Sequence, residues 1–122
     1  MPGLATLSGV ALDCPDPLAL ARFYSELSGW PLHDRSDDTW VQLDTGREWT
    51  LAFQRVDGYR APAWPHQDVP QQFHLDFDVA DLDEGERRVL GIGATKADHQ
   101  PGTTFRVFLD PAGHPFCLVL DH

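Results

Sequence analysis

His74, Asp76 and Asp78 alternate in the run His74-Leu75-Asp76-Phe77-Asp78-Val79. In a strand this spacing puts an imidazole and two carboxylates on one face, and Leu75, Phe77 and Val79 on the other. An imidazole titrates near neutrality, so His74 is available as a general base tuned by Asp76. The plainer reading is a hydrogen-bonded cavity histidine that contacts a ligand without doing chemistry. Asp76 and Asp78 suit a cationic ligand, with solvation at a cavity mouth as the alternative. A face this polar does not belong in a dry core; it lines either water or a pocket.

Cys117 stands between Phe116 and Leu118, the setting of a buried, inert thiol. A reactive thiolate would need positive charge nearby, and Arg106 on the neighbouring strand is the one obvious source. Trp40, Gln42, Trp49, Gln54 and Trp64 are the aromatics and amides placed to reach a cavity or its rim, since pockets combine apolar walls with a few polar groups. Trp49 and Trp64 serve equally as cover between two halves of the chain. Trp30 reads as core, and His114 as part of a turn.

The elements that position these groups come in two copies, offset by 65 residues. Gly9-Val10-Ala11-Leu12-Asp13 leads through Asp16 into an apolar-periodic run, as His74 to Val79 leads through Asp81 into another; Trp49 to Gln54 corresponds to His114 to Val119. Two long copies point to a pseudo-symmetric domain rather than a solenoid. In the first, Asp16 caps a helix with Pro17 at its first position, Leu18, Ala21, Phe23, Tyr24 and Leu27 form its apolar face, and Gly29 ends it. Strands are expected at Trp30–Asp34, Thr39–Asp44 and Trp49–Val56. In the second, a strand at Phe73–Val79 precedes a helix capped by Asp81 and ended by Gly93. Strands at Thr95–Asp98, Thr103–Leu109 and Pro115–Leu120 follow. Each half is thus βαβββ, and the class is α+β. The expected organisation is one domain, with module one at 5–56, a proline-containing linker at 57–71 and module two at 72–122.

Composition narrows the functions available. Among 122 residues there are 19 acids and 9 bases, for a net charge of −10. That balance disfavours nucleic acid and anionic membranes as partners, because both are held by Lys and Arg. Four tryptophans and a 42% hydrophobic fraction indicate a folded globule. No apolar run approaches the roughly 20 residues of a membrane span, and no signal peptide is expected, since Met1-Pro2-Gly3 lacks a basic region followed by an apolar one. A cytoplasmic protein with Cys14 and Cys117 as free thiols is expected.

Gly9 to Leu12 running to Asp16, Phe23-Tyr24, His74 to Asp81, Gly93-Ala94 and Asp110-Pro111-Ala112-Gly113-His114-Pro115-Phe116 together resemble the vicinal oxygen chelate superfamily, the group of glyoxalase I, extradiol dioxygenases and bleomycin-resistance proteins. The likeness is nearest to its small glyoxalase-like members. It implies paired βαβββ modules forming an open, curled mixed sheet around a cavity, and a homodimer. It also implies four metal-ligand positions, one on the first and one on the last strand of each module; these fall on Gly9, Ala52, His74 and Cys117. Gly9 and Ala52 carry no donor, so no metal or other cofactor is expected. A displaced divalent ion, using Asp76 or Gln54, is the less favoured alternative. Glyoxalase I chemistry and extradiol cleavage are disfavoured on the same ground.

Two functions are favoured over a structural or regulatory partner module, for which nothing in the sequence speaks directly. One is a small-molecule binding protein with a degenerate metal site, its organic ligand held by Trp40, Gln42, Gln54, Trp64, His74, Asp76, Asp78, Arg106 and Cys117. The other is a lyase or isomerase of the superfamily with His74 as catalytic base, or with a metal placed unusually.

Overall fold

A computed structural model describes residues 3–4, 6–33 and 37–120. The chain divides into two compact units, Met1–Tyr59 and Arg60–His122.

In the first unit, β1 (Gly9–Cys14) leads into α1 (Pro17–Ser28), then β2 (Trp40–Asp44) and β3 (Thr50–Arg55). The helix starts where the sequence says it must. Asp16 is extended and accepts a hydrogen bond from the Ala19 N–H at 3.2 Å, and Pro17 takes a position where no amide is needed. Gly29, at φ 82°, ends it in the left-handed region. The sheet order is β1-β3-β2, with β1 parallel and β2 antiparallel to β3. One face packs under α1, where Tyr24 stacks on Phe53 with ring centroids 5.6 Å apart and Leu20, Leu43 and Leu51 are buried. Each such side chain contributes about 1.5–3 kcal/mol of hydrophobic stabilisation. Leu18, expected on the apolar face, is exposed, and Leu20 takes the buried place.

The strand expected at Trp30–Asp34 shrinks to a single bridge, Leu32 to Leu43, supported by backbone bonds from His33 N to Gln42 O and from Asp44 N to Pro31 O. Asp34 itself lies outside the described residues. Trp30 is half-buried, edge-on to Trp49 at 6.0 Å, rather than in the core.

The second unit holds β4 (Leu75–Val79), α2 (Leu82–Gly91), β5 (Thr95–Lys96), β6 (Phe105–Leu109) and β7 (Pro115–Leu120). Asp81 caps α2 through the Glu84 N–H. The order β4-β7-β6-β5 has β4 parallel to β7 and the other pairs antiparallel. Both sheets are mixed and open, neither closing into a barrel, in an α+β fold of paired βαβββ modules. Phe108 and Phe116 stack at 5.8 Å, Phe77 meets Phe116 edge-on, and Leu118 and Val89 complete the core beneath α2.

The turn from β6 to β7 is tightly bonded. Asp110, 4% exposed, accepts from the Ala112 and His114 N–H groups at 2.9 and 3.0 Å, and Gly113 adopts φ 92°. A methyl at Gly113 would sit 2.7 Å from the Ala61 Cβ, so close packing and backbone conformation both demand glycine there.

Candidate functional site

In the second unit the sheet face away from α2 carries Asp76 and Asp78 of β4, Cys117 of β7 and Val107 of β6. Asp76 pairs with Cys117, and Cys117 with Val107, so the three are neighbours on one face. His74, immediately before β4, shares that face two residues from Asp76, and its Nε2 is 3.2 Å from Asp76 Oδ1. His74, Asp76 and Cys117 each offer one nitrogen, oxygen or sulfur atom, and the three atoms lie within 4.8 Å of one another. The imidazole and carboxylate are 41% and 57% exposed, whereas Cys117 is 7% exposed.

Burial, and then the Asp76 carboxylate beside it, pushes the Cys117 thiol from its ordinary 9.0 up to about 11. The expectation of an inert buried thiol therefore agrees with its surroundings. Arg106 does not relieve the shift. It pairs with Leu118, and so projects from the opposite face, where its guanidinium meets Asp83 at 2.9 Å and Glu86 at 3.2 Å on α2. Lys96 joins the same Glu86 at 3.0 Å. The assignment of Arg106 to the ligand face is thus corrected: it ties sheet to helix.

A cavity of about 230 Å³ adjoins the cluster, lined by Trp64, Gln71, His74, Phe105, Val107 and Cys117 with two prolines. Trp64 lies 5.4 Å from the His99 ring, centre to centre. Gln71 Oε1 is buried without a hydrogen-bond partner among the described residues, an uncompensated acceptor at the cavity wall. Asp78, opposite Val119 and exposed, lies one step beyond and does not line this cavity.

The first unit has a cavity on the equivalent face, about 410 Å³, walled by Gly9, His33, Trp40, Gln42, Thr50 and Ala52 among others. Register explains the grouping: Gln42 pairs with Ala52 and Ala52 with Ala11. Trp40 and Gln42 both line this cavity. Gln54 shares the face, opposite Trp40, but does not line the cavity. His33, Thr50 and Gln71 were not anticipated. His33 had a signal, because it falls inside the strand expected at Trp30–Asp34, and the bridge of Leu32 to Leu43 sets it opposite Gln42; Gln71 lies in the connecting segment, where no periodicity marks it.

Residues 9–119 match the family model described as a glyoxalase-like domain. The chain belongs to the glyoxalase-like family. That places it in the vicinal oxygen chelate superfamily, in keeping with its two βαβββ modules. Solved structures agree on the fold. A glyoxalase/bleomycin resistance protein/dioxygenase family enzyme from Burkholderia phytofirmans PsJN superposes with a TM-score of 0.74 at 24% identity, covering 95% of this chain and 98% of its own. A glyoxalase-related enzyme from Fulvimarina pelagi gives 0.68 at 21%, covering 97% and 89%. The oxidase ChaP-H2 gives 0.59 at 14%, covering 98% and 96%. No curated protein matches the chain. The glyoxalase-like fold family thus includes enzymes, and the residues of this member must decide what it does.

Proposed function

We propose that this glyoxalase-like protein binds a small organic ligand in a cavity of its sheet face, and that the four-ligand metal centre of its metal-dependent relatives is degenerate here. One observation carries the reading. At Gly9 and Ala52, two of the four positions the resemblance assigns to the metal, there is no donor atom, and a cavity of about 410 Å³ stands there instead. That volume lies in the range of small-molecule sites, and its walls combine an indole with an amide, an imidazole and a hydroxyl. The four-ligand centre does not fit this donor set, and no chemistry is routed through it. With a net charge of −10, the protein favours neutral or cationic ligands over anions. It acts as a homodimer in the cytoplasm, without nucleic-acid or membrane partners; light scattering checks the dimer.

The experiment is a thermal-shift screen against polyaromatic, glycopeptide and amine-bearing compounds. A ligand at a hundred times its Kd adds about 2.7 kcal/mol to stability, which is readily detected. A hit lost in Trp40→Leu and Gln42→Ala supports the reading; a flat response across the panel overturns it. One observation favours the enzymatic alternative: the contact of His74 Nε2 with Asp76 Oδ1 at 3.2 Å, which suits a lyase or isomerase base. Turnover of a bound compound that disappears in His74→Ala, with binding retained, would decide for that alternative.

A further inference from the structure

We infer that His74, Asp76 and Cys117 form a nitrogen–oxygen–sulfur site for a borderline-soft divalent cation, best matched by zinc, with its fourth position open toward the adjoining cavity. This goes beyond the ligand-binding reading. It keeps His74 and Cys117 from the four positions the resemblance implies, and sets Asp76 in place of the two donorless positions of the first module.

Three observations converge. The donor atoms lie within 4.8 Å of one another, and the closest pair, His74 Nε2 and Asp76 Oδ1, is 3.2 Å apart. Around tetrahedral zinc, with bonds of about 2.0–2.3 Å, donors sit roughly 3.3–3.8 Å from each other. Small rotations of the two partly exposed side chains close the remaining gap. The donor types match as well: imidazole, carboxylate and thiolate together select zinc over magnesium or calcium, which prefer all-oxygen shells. Finally, no Lys or Arg lines the cavity, and the buried Gln71 Oε1 adds an acceptor without a partner among the described residues.

Charge and protons balance. Asp76 enters as carboxylate. The Cys117 S–H bond breaks as the S–Zn bond forms, and its proton passes to buffer. Two anionic ligands then neutralise the dication, and the imidazole supplies a neutral third donor. Register makes the set coherent, because Asp76 and Cys117 are direct partners across parallel β4 and β7. The fold, not chance rotation of a loop, sets carboxylate beside thiol.

The test uses the full chain, without a polyhistidine tag, reduced and stripped with chelator. Cobalt(II) is titrated as a spectroscopic probe, followed by zinc as competitor. The expected result is one cobalt per chain with a thiolate-to-cobalt charge-transfer band in the near ultraviolet, bleached by zinc. Cys117→Ser abolishes the band, and His74→Ala weakens binding by more than about 100-fold, beyond the usual loss on removing a supporting group. Cys14→Ser leaves the band intact, since Cys14 lies outside the cluster and donates instead to the Gln54 carbonyl. Absence of the band in the parent chain, or its survival in Cys117→Ser, overturns the inference, and the parent result stands even if a variant fails to fold. The ligand screen, run in chelator, is read separately, so failure of one proposal is distinguishable from failure of the other.

Discussion

Asp110 offers the sharpest test of how the β6–β7 turn holds the site. Replacing it with alanine deletes the carboxylate oxygen that accepts from the Ala112 and His114 N–H groups at 2.9 and 3.0 Å. The backbone bonds of the turn, Asp110 N to His114 O and Gly113 N to Asp110 O, remain. A hydrogen bond to a charged group contributes about 1.5–3 kcal/mol. Two that share one oxygen contribute less than twice that, because burying the carboxylate has its own cost. The expected loss is therefore about 2–4 kcal/mol for Asp110→Ala. In urea, with a slope in the usual range for a domain of this size, the midpoint falls by about 1–3 M. Asp110→Asn keeps a neutral acceptor and loses about 1 kcal/mol. Equilibrium denaturation followed by tryptophan fluorescence measures both. A change below about 0.5 kcal/mol in Asp110→Ala, the range of an ordinary surface substitution, would refute the reasoning and reduce the turn to a solvated loop.

Other outcomes follow from the same geometry. Arg106→Met lowers the denaturation midpoint slightly by freeing α2 from β6, since partly exposed ion pairs contribute little, and leaves Cys117 alkylation rates unchanged; a changed rate would place Arg106 back on the thiol's face. In a metal-free Cys14→Ser background, Cys117 alkylates at pH 8 about a hundredfold more slowly than an unperturbed thiol, since each pH unit of displacement is tenfold; matching rates would show that the thiol is not held near 11. Because folding raises this thiol, its stabilising effect is complete below about pH 9 and is lost as pH climbs toward 11, which alkaline melting curves check. Asp37, whose carboxylate accepts from Thr39 and Trp40, is held below its ordinary 3.8. Its stabilising effect is present above that value and fades as pH falls, so an NMR titration midpoint at or above 3.8 would contradict the turn drawn there.

The repeat was legible in the sequence because it is written into spacing rather than identity. At the 65-residue offset, the Asp16 cap corresponds to the Asp81 cap, β2 to β6 and β3 to β7, and the pairing of Val10 with Leu51 corresponds to that of Leu75 with Phe116. Caps, helix faces and strand alternation are local, so a single chain displays them. The side of the sheet taken by Arg106 was legible only through the repeat, which sets Arg106 against Val41 and Val107 against Gln42. It depends on the length of the turn between β6 and β7, which pairs Leu109 with Pro115 and therefore Val107, not Arg106, with Cys117. One residue of slip would have reversed every face. The strand at Trp30–Asp34 failed for a related reason: Leu32 is 46% exposed, so little burial rewards extension beyond one bridge.

Where the two units differ, the shared register shows what was changed. His74, Asp76 and Cys117 correspond, at the same offset, to Gly9, Ala11 and Ala52. Ala11 pairs with Ala52 just as Asp76 pairs with Cys117. The same backbone frame therefore offers three corners twice, and side chains occupy them in opposite ways. In the second unit all three hold donors, and the cavity beside them is about 230 Å³; in the first they hold a hydrogen and two methyl groups, and the cavity is about 410 Å³. With all three corners empty and Trp40 and Gln42 on the wall, the first unit keeps the larger cavity. A fold needing only core burial gains nothing from such a difference, since Leu51, Phe53, Phe116 and Leu118 already fill the opposite faces. The asymmetry is chemical: one module holds the larger cavity, and the other holds the three donor side chains.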